Sequence, residues 1–266
     1  MADLHLILIT KKIIIMNTEK EQGRQYRLRP SFGDSYGTGW NVMLDNFLRL
    51  LLVVFVLGVL TGPMSGINFK VDNFDFMDHP WKWDGNWGQI FGIASIGAFA
   101  IFAGLIALAY TFLALPVVRY GGRMIFLQAV RREKPDFEWL IRGFWTNYLN
   151  IVLANLLVSA LIAIGMFALI VPGIIIACRL AFTSFLIMDK KLDPIEAVET
   201  SWKLTKGHGW TIFLMGFVAF FIWIFGLILF FIGVFPAIMW IKSSFASLYE
   251  SVVRESDTPE EVVAVE

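Results

Sequence analysis

Two cations stand inside apolar sequence. Arg179 and Lys242 follow Pro172 and Pro236 by seven and six residues, and each precedes a phenylalanine, Phe182 or Phe245, by three. Counted from the prolines, each lies about 10 Å down its helix at 1.5 Å per residue. A cation at that depth in a membrane is normally paired or lines a cavity. No Asp or Glu falls at comparable depth, the nearest being Asp45 and Glu250 toward the other ends of their helices. Two unpartnered cations at matched depth call for an anion between them, a lipid phosphate or a small anionic substrate. The competing expectation is that both helices are shorter and both cations snorkel to an interface.

A second group of chemically capable residues is Asp72, Asp75, Asp78, His79 and Asp84, interleaved with Trp81, Trp83 and Trp87. Four carboxylates are enough to hold a cation, but their spacing is not that of a calcium-binding loop. The tryptophans read as a belt at a membrane surface. Whether the aspartates bind a cation stays open; no metal and no cofactor is assigned. His5, His79 and His208 are scattered, and the lone Cys178 has no partner for an intrachain disulfide. Gly121-Gly122 lacks the strand-loop-helix context of a phosphate cradle, and no nucleophile elbow, zinc signature or intramembrane carboxylate pair is present. The chain is therefore expected not to be an enzyme.

These residues need elements to hold them, and composition says which. Of 266 residues, 57% are hydrophobic and only 17% charged, with Lys+Arg balancing Asp+Glu at 22 each. That excludes a water-soluble enzyme, a nucleic-acid binder with a basic face, a disulfide scaffold and a fibrous chain. Runs without a charged residue cover 50–69, 85–118, 143–178 and 207–241. A spanning helix needs about 20 residues, so the third and fourth runs must each fold back. Pro172-Gly173 and Gly233 to Pro236 are the natural turns. The reading is an all-α polytopic transmembrane helix bundle of about six spans, 47–66, 90–115, 149–170, 174–190, 210–232 and 235–252, plus interfacial amphipathic helices. Residues 1–46 form an N-terminal segment, 47–252 the membrane domain and 253–266 a short acidic tail. Residues 1–15, apolar but interrupted by Lys11-Lys12, are unlike a signal peptide and read as an extension upstream of a start at Met16.

Orientation follows from Lys and Arg. They crowd the segment before residue 50 (Lys11, Lys12, Lys20, Arg24, Arg27, Arg29, Arg49), the 119–148 connection (Arg119, Arg123, Arg131, Arg132, Lys134, Arg142) and the 190–209 connection (Lys190, Lys191, Lys203, Lys206). Both termini are thus expected in the cytoplasm and the Asp-rich loop outside. The basic connections are amphipathic. Asp193-Pro194-Ile195-Glu196 is a helix start with an N-cap, a proline at the first position and a capping-box glutamate. Gly207 is its stop. Trp202, Lys203 and Lys206 place it in the interface, as a lipid-sensing surface or a simple anchor.

The two Pro hairpins resemble each other, and spans 1, 3 and 5 each follow an aromatic lead-in, around Trp40, Trp145 and Trp202. Three units of lead-in helix plus hairpin fit this pattern, although apolar sequence also yields chance matches. A stripe of Ala94, Gly97, Ala100, Gly104 and Ala107 on span 2 reads as a helix-packing face. Asn147, Asn150 and Asn155 read as interhelical hydrogen-bonding groups.

Val171-Pro172-Gly173-Ile174-Ile175, then Asp189, Pro194-Ile195-Glu196-Ala197 and Ser201-Trp202-Lys203-Leu204-Thr205-Lys206-Gly207 resemble a widespread bacterial group: the membrane domain of glycerophosphoryl diester phosphodiesterases and related uncharacterised multi-pass proteins. The resemblance spans about 140–250 and implies a bacterial cytoplasmic-membrane protein. It does not imply phosphodiester hydrolysis, because in the fused enzymes that chemistry belongs to a separate soluble domain. The leading expectation is a non-enzymatic inner-membrane protein that binds or organises anionic lipid through Arg179, Lys242, Trp202, Lys203 and Lys206. Membrane lipids are its partners, nucleic acid is not, and a homo-oligomer or another membrane protein stays open. The alternative is a small transporter for an anionic or lipidic substrate.

Overall fold

The computed structural model describes residues 28–65, 97–98, 101–229 and 233–257, and among these every regular element is a helix. They are α1 (Phe32–Asp45), α2 (Phe47–Ser65), α3 (Ile101–Val130, with one π-helical turn at Tyr110–Ala114), α4 (Trp139–Thr146), α5 (Tyr148–Ala168), α6 (Ile170–Arg179), α7 (Thr183–Asp189), α8 (Pro194–Leu204), α9 (Gly209–Ile228) and α10 (Val234–Asp257). The expected all-α bundle is what this chain forms. Residues 1–15, the Asp-rich loop with Asp72, Asp75, Asp78 and Asp84, and the tail from 258 lie outside the described residues.

Four described elements are long and apolar enough to cross a membrane: α3, α5, the α6–α7 stretch Ile170–Asp189, and α9. Only 22%, 22% and 17% of the apolar windows of α3, α5 and α9 is buried inside the protein. Leu48, Phe102, Leu149, Phe167 and Phe220 lie exposed on the outside of the bundle. Apolar surface on this scale needs lipid around it, and the chain is a membrane protein. A fifth span arises if α1 and the Phe47–Thr61 stretch of α2, bent by 96° at Asn46, count as one.

The expectation of six spans is thus corrected, for two reasons. The last one, 235–252, falls in α10, which carries Lys242 and Glu250 and buries Ser243, Ser244, Ser247 and Ser251. It is a core helix too polar to face lipid. The second, drawn at 90–115, continues to Val130. Nothing breaks the helix before Arg132, whose φ is 63°, and Val117, Ile125, Phe126 and Leu127 bury completely against the bundle. Arg119 and Arg123 therefore sit within a spanning helix, not in a connection.

The hairpin turns also differ in detail. The reversal between α5 and α6 occurs at Leu169, in extended backbone (φ −166°, ψ 150°). Pro172 and Gly173 lie in the first turn of α6, where a missing N–H costs no hydrogen bond. Gly173 is needed for contact: a Cβ there would stand 2.8 Å from the Met166 nitrogen, and one at Gly165 would stand 3.0 Å from the Gly173 Cα. The second hairpin repeats the device. A Cβ at Gly226 or Gly233 would lie 2.9 Å from the other's carbonyl oxygen, and Pro236 again falls in the first turn of the following helix. Of the small-residue stripe, Ala94 and Ala100 lie outside the described residues, and no neighbouring atom among the described residues comes within 4 Å of a Cβ at Gly97 or Gly104.

The three lead-in helices exist, and their packing closes a ring. Each leans on the second half of the preceding hairpin: α4 on α3, α8 on α7, and α1, first in sequence, on α10, last in sequence. α1 begins at Ser31, whose hydroxyl accepts from the Asp34 N–H at 3.3 Å. Its seam with α10 is close. Trp240 Nε1 donates to the Tyr36 carbonyl at 3.0 Å, and Trp40 packs edge-on to Trp240 with centroids 4.9 Å apart. A Cβ at Gly39 would meet the Ser244 nitrogen at 2.7 Å. Gly39→Val should therefore cost about 1–3 kcal/mol by overpacking and lower the melting temperature in detergent by several degrees. Gly37→Ala, with nothing within 4 Å, should leave it unchanged or raise it. Equal melting temperatures for the two variants would contradict this seam.

Candidate functional site

Three helices line the middle of the ring, α3, α7 and α10, one from each unit. Their charged ends meet. Arg131, just past α3, forks onto the Asp189 carboxylate at 2.5 and 2.7 Å, and its Nε donates to Glu250 at 2.8 Å. Tyr249 OH donates to Asp189 at 3.0 Å, and Arg254 Nε donates to the other oxygen of Glu250 at 2.8 Å. The Asp189 and Glu250 side chains keep 10% and 7% of their surface. Burial alone would lower the Arg131 guanidinium, but hydrogen bonds and charge from Asp189 and Glu250 outweigh it and raise it above its ordinary value. Two cations face two carboxylates here, so the node is neutral and all three side-chain nitrogens of Arg131 are engaged. Its chemistry is structural.

A second charged layer lies about 12 Å along the same helices, eight residues at 1.5 Å each. Arg123 precedes Arg131 by eight residues on α3, and Lys242 precedes Glu250 by eight on α10. Arg123 Nη1 donates to the hydroxyl of Ser184, a buried residue of α7. Its guanidinium carbon stands 5.8 Å from the Tyr120 ring centroid. The Lys242 ammonium lies 5.6 Å from the Phe126 centroid. Arg119, one turn before Arg123, completes a set of three positive charges close enough to act on one another. Among the described residues no carboxylate is ion-paired with any of them. Arg119 and Arg123 are exposed, although Val118, Tyr120, Gly121 and Gly122 beside them are buried.

The residues grouped at the level of sequence divide between two places. Lys242 belongs to this inner layer. Arg179 ends α6, and the break at 180–182 strips its carbonyl of a helical partner; Ser201 Oγ and Thr205 Oγ1 of the α8 region donate to it at 2.8 and 3.2 Å. Its guanidinium carbon is 5.8 Å from the Trp202 ring centroid, and its Nη1 is buried with no acceptor in the described chain. Trp202 is 45% exposed, and Lys203 and Lys206 are exposed beside it. No described contact joins Arg179 to Lys242. The capping box of α8 does not form: Asp193 stands at the N-cap, but its carboxylate accepts from Asn150 Nδ2 at 3.1 Å. Gly207, at φ 95°, does sit past the end of α8 as a stop.

Arg119, Arg123, Ser184 and the Arg131 node were not picked out from sequence as a site. The readable signal was spacing: a cation eight residues before a charged residue on both α3 and α10. Comparison with protein-family models, with curated proteins and with solved structures yields no match.

Removing Arg131 would leave Asp189, 10% exposed, without a cation and Glu250 with Arg254 alone; breaking a buried pair in this way typically costs about 3–5 kcal/mol. Arg131→Met should lower the melting temperature sharply, whereas Arg131→Met combined with Asp189→Asn and Glu250→Gln should recover much of the loss. A triple variant no more stable than the single one would refute the node as a paired unit.

Proposed function

We propose that this chain is a multi-pass protein of the bacterial cytoplasmic membrane, both termini inside, that binds and organises anionic lipid and performs no catalysis. The observation that carries this reading is the Arg179 Nη1, buried with no acceptor among the described residues and with its guanidinium against an exposed tryptophan. A guanidinium nitrogen left so is costly unless something outside the chain accepts from it. Trp202 suits the headgroup level of a bilayer, and the exposed Lys203 and Lys206 on the same rim attract negative lipid. A phosphate oxygen entering from the surface would complete Arg179 and stack its charge against this rim. The resemblance to the membrane domain of glycerophosphoryl diester phosphodiesterases fits a membrane setting and brings no catalytic residue with it.

The transporter reading draws on a different observation, the exposed cations of the inner layer halfway along the core helices. It additionally requires two conformations of the bundle.

The lipid reading is tested by native mass spectrometry of the protein released from its own membrane. Wild type should retain an anionic phospholipid. Arg179→Gln should reduce retention about tenfold, the effect of losing one charge-assisted hydrogen bond of roughly 1.5–3 kcal/mol. Lys203→Gln with Lys206→Gln should reduce it further, by about 1 kcal/mol for each charge near the surface. Retention unchanged in Arg179→Gln would overturn the reading.

A further inference from the structure

The inner layer has a property that nothing in the ring's architecture explains. Three cations, Arg119, Arg123 and Lys242, repel one another partway along the core helices, with no carboxylate among the described residues ion-paired to them. Two turns away, the Arg131 node meets each of its charges with an opposite one. A fold that matches its charges at one level and leaves three cations together, two of them exposed, at the next offers an anion a place at the second level.

We infer that Arg119, Arg123 and Lys242 form a binding site for a doubly charged phosphate group, a terminal phosphomonoester or inorganic phosphate. Donor geometry selects the chemistry. Arg119 and Arg123 lie four residues apart on one face of α3, so two guanidinium forks approach from the same side. The Ser184 hydroxyl holds one nitrogen of Arg123 and thereby orients the rest of its fork. Lys242 comes from a different helix, α10, and supplies a compact charge fixed against Phe126. Forks on one side and a point charge on another match a tetrahedral oxyanion better than a planar carboxylate. Charge then narrows the class. A phosphomonoester carries about −1.5 to −2 at neutral pH, which offsets most of three positive charges, whereas a phosphodiester carries one and leaves two unbalanced. The exposure of Arg119 and Arg123 beside buried neighbours leaves the site open to a ligand. This site shares no residue with the Arg179 rim, so either can fail without the other.

The experiment uses the full chain in nanodiscs of neutral lipid and reads binding by the shift in melting temperature and by titration. The probes are inorganic phosphate, phosphatidic acid at a few per cent of the lipid (a phosphomonoester), and phosphatidylglycerol at the same level (a phosphodiester). Phosphatidic acid or inorganic phosphate should stabilise wild type, phosphatidylglycerol should bind at least tenfold more weakly, and the effect should fade as pH falls below about 6, where the phosphomonoester loses its second charge. Stabilisation by phosphatidic acid alone assigns a lipid headgroup; stabilisation by inorganic phosphate as well assigns a soluble source. Arg123→Gln and Lys242→Met should each weaken binding at least tenfold, while Arg179→Gln should leave it unchanged. Without ligand, Lys242→Met should melt at or above wild type, because it removes like-charge repulsion and keeps an unbranched chain over Phe126. Equal binding of phosphatidylglycerol, absence of any shift with phosphate or phosphatidic acid, or a ligand-free Lys242→Met protein that melts lower while binding is unaltered would each overturn the inference.

Discussion

Arg131 holds together two carboxylates that arrive on separate helices, Asp189 from 58 residues away and Glu250 from 119. Each helix of the inner trio thus brings one charge to a common point, and the three can meet only if the units around them close. The lead-in helices provide that closure, each lying against the unit before it, with α1 reaching back to α10. Close glycine contacts at both hairpins and at the α1–α10 seam set how near the backbones approach. The large apolar side chains of α2, α3, α5 and α9 are then free to face lipid, while the serines and Glu250 of α10 are buried among the helices.

Much of this was legible in the sequence because it rests on local pattern. Charge-free runs marked the long helices, prolines marked the two hairpins, and aromatic lead-ins marked α1, α4 and α8. What was not legible depended on contacts distant in sequence. Cations were read as markers of connections, which holds for Lys190 and Lys206 but fails for Arg119 and Arg123, because α3 runs on past them to Val130. The capping pattern at Asp193 was real, yet Asn150 from α5 draws its carboxylate away. α10 read as a span because its first half is apolar, while its serines and Glu250 turn inward on the partners that make them a core face.

The same reasoning separates the protein's charged places by what they can still do. At the Arg131 node the fork of Arg131 is fully engaged by Asp189 and Glu250, and the two carboxylates are met by two cations. At Arg179 one nitrogen lacks an acceptor among the described residues, and the surroundings are a tryptophan and lysines at a surface. In the layer of Arg119, Arg123 and Lys242 the imbalance is in net charge, with both arginines exposed. Degree of pairing thus separates a structural clamp from the rim proposed to meet lipid headgroups and the layer proposed to hold a phosphate, all built from similar residues.

The central claim is that three units close into a ring, with the first lead-in helix against the last hairpin helix. Its most direct test is cross-linking in isolated membranes. Trp40→Cys and Trp240→Cys, in a Cys178→Ser background, replace two rings whose centroids lie 4.9 Å apart. Treatment with a short bismaleimide followed by digestion should yield a peptide joining the two positions within one chain. Failure to form that link, or its formation only between two chains, would contradict the closed ring.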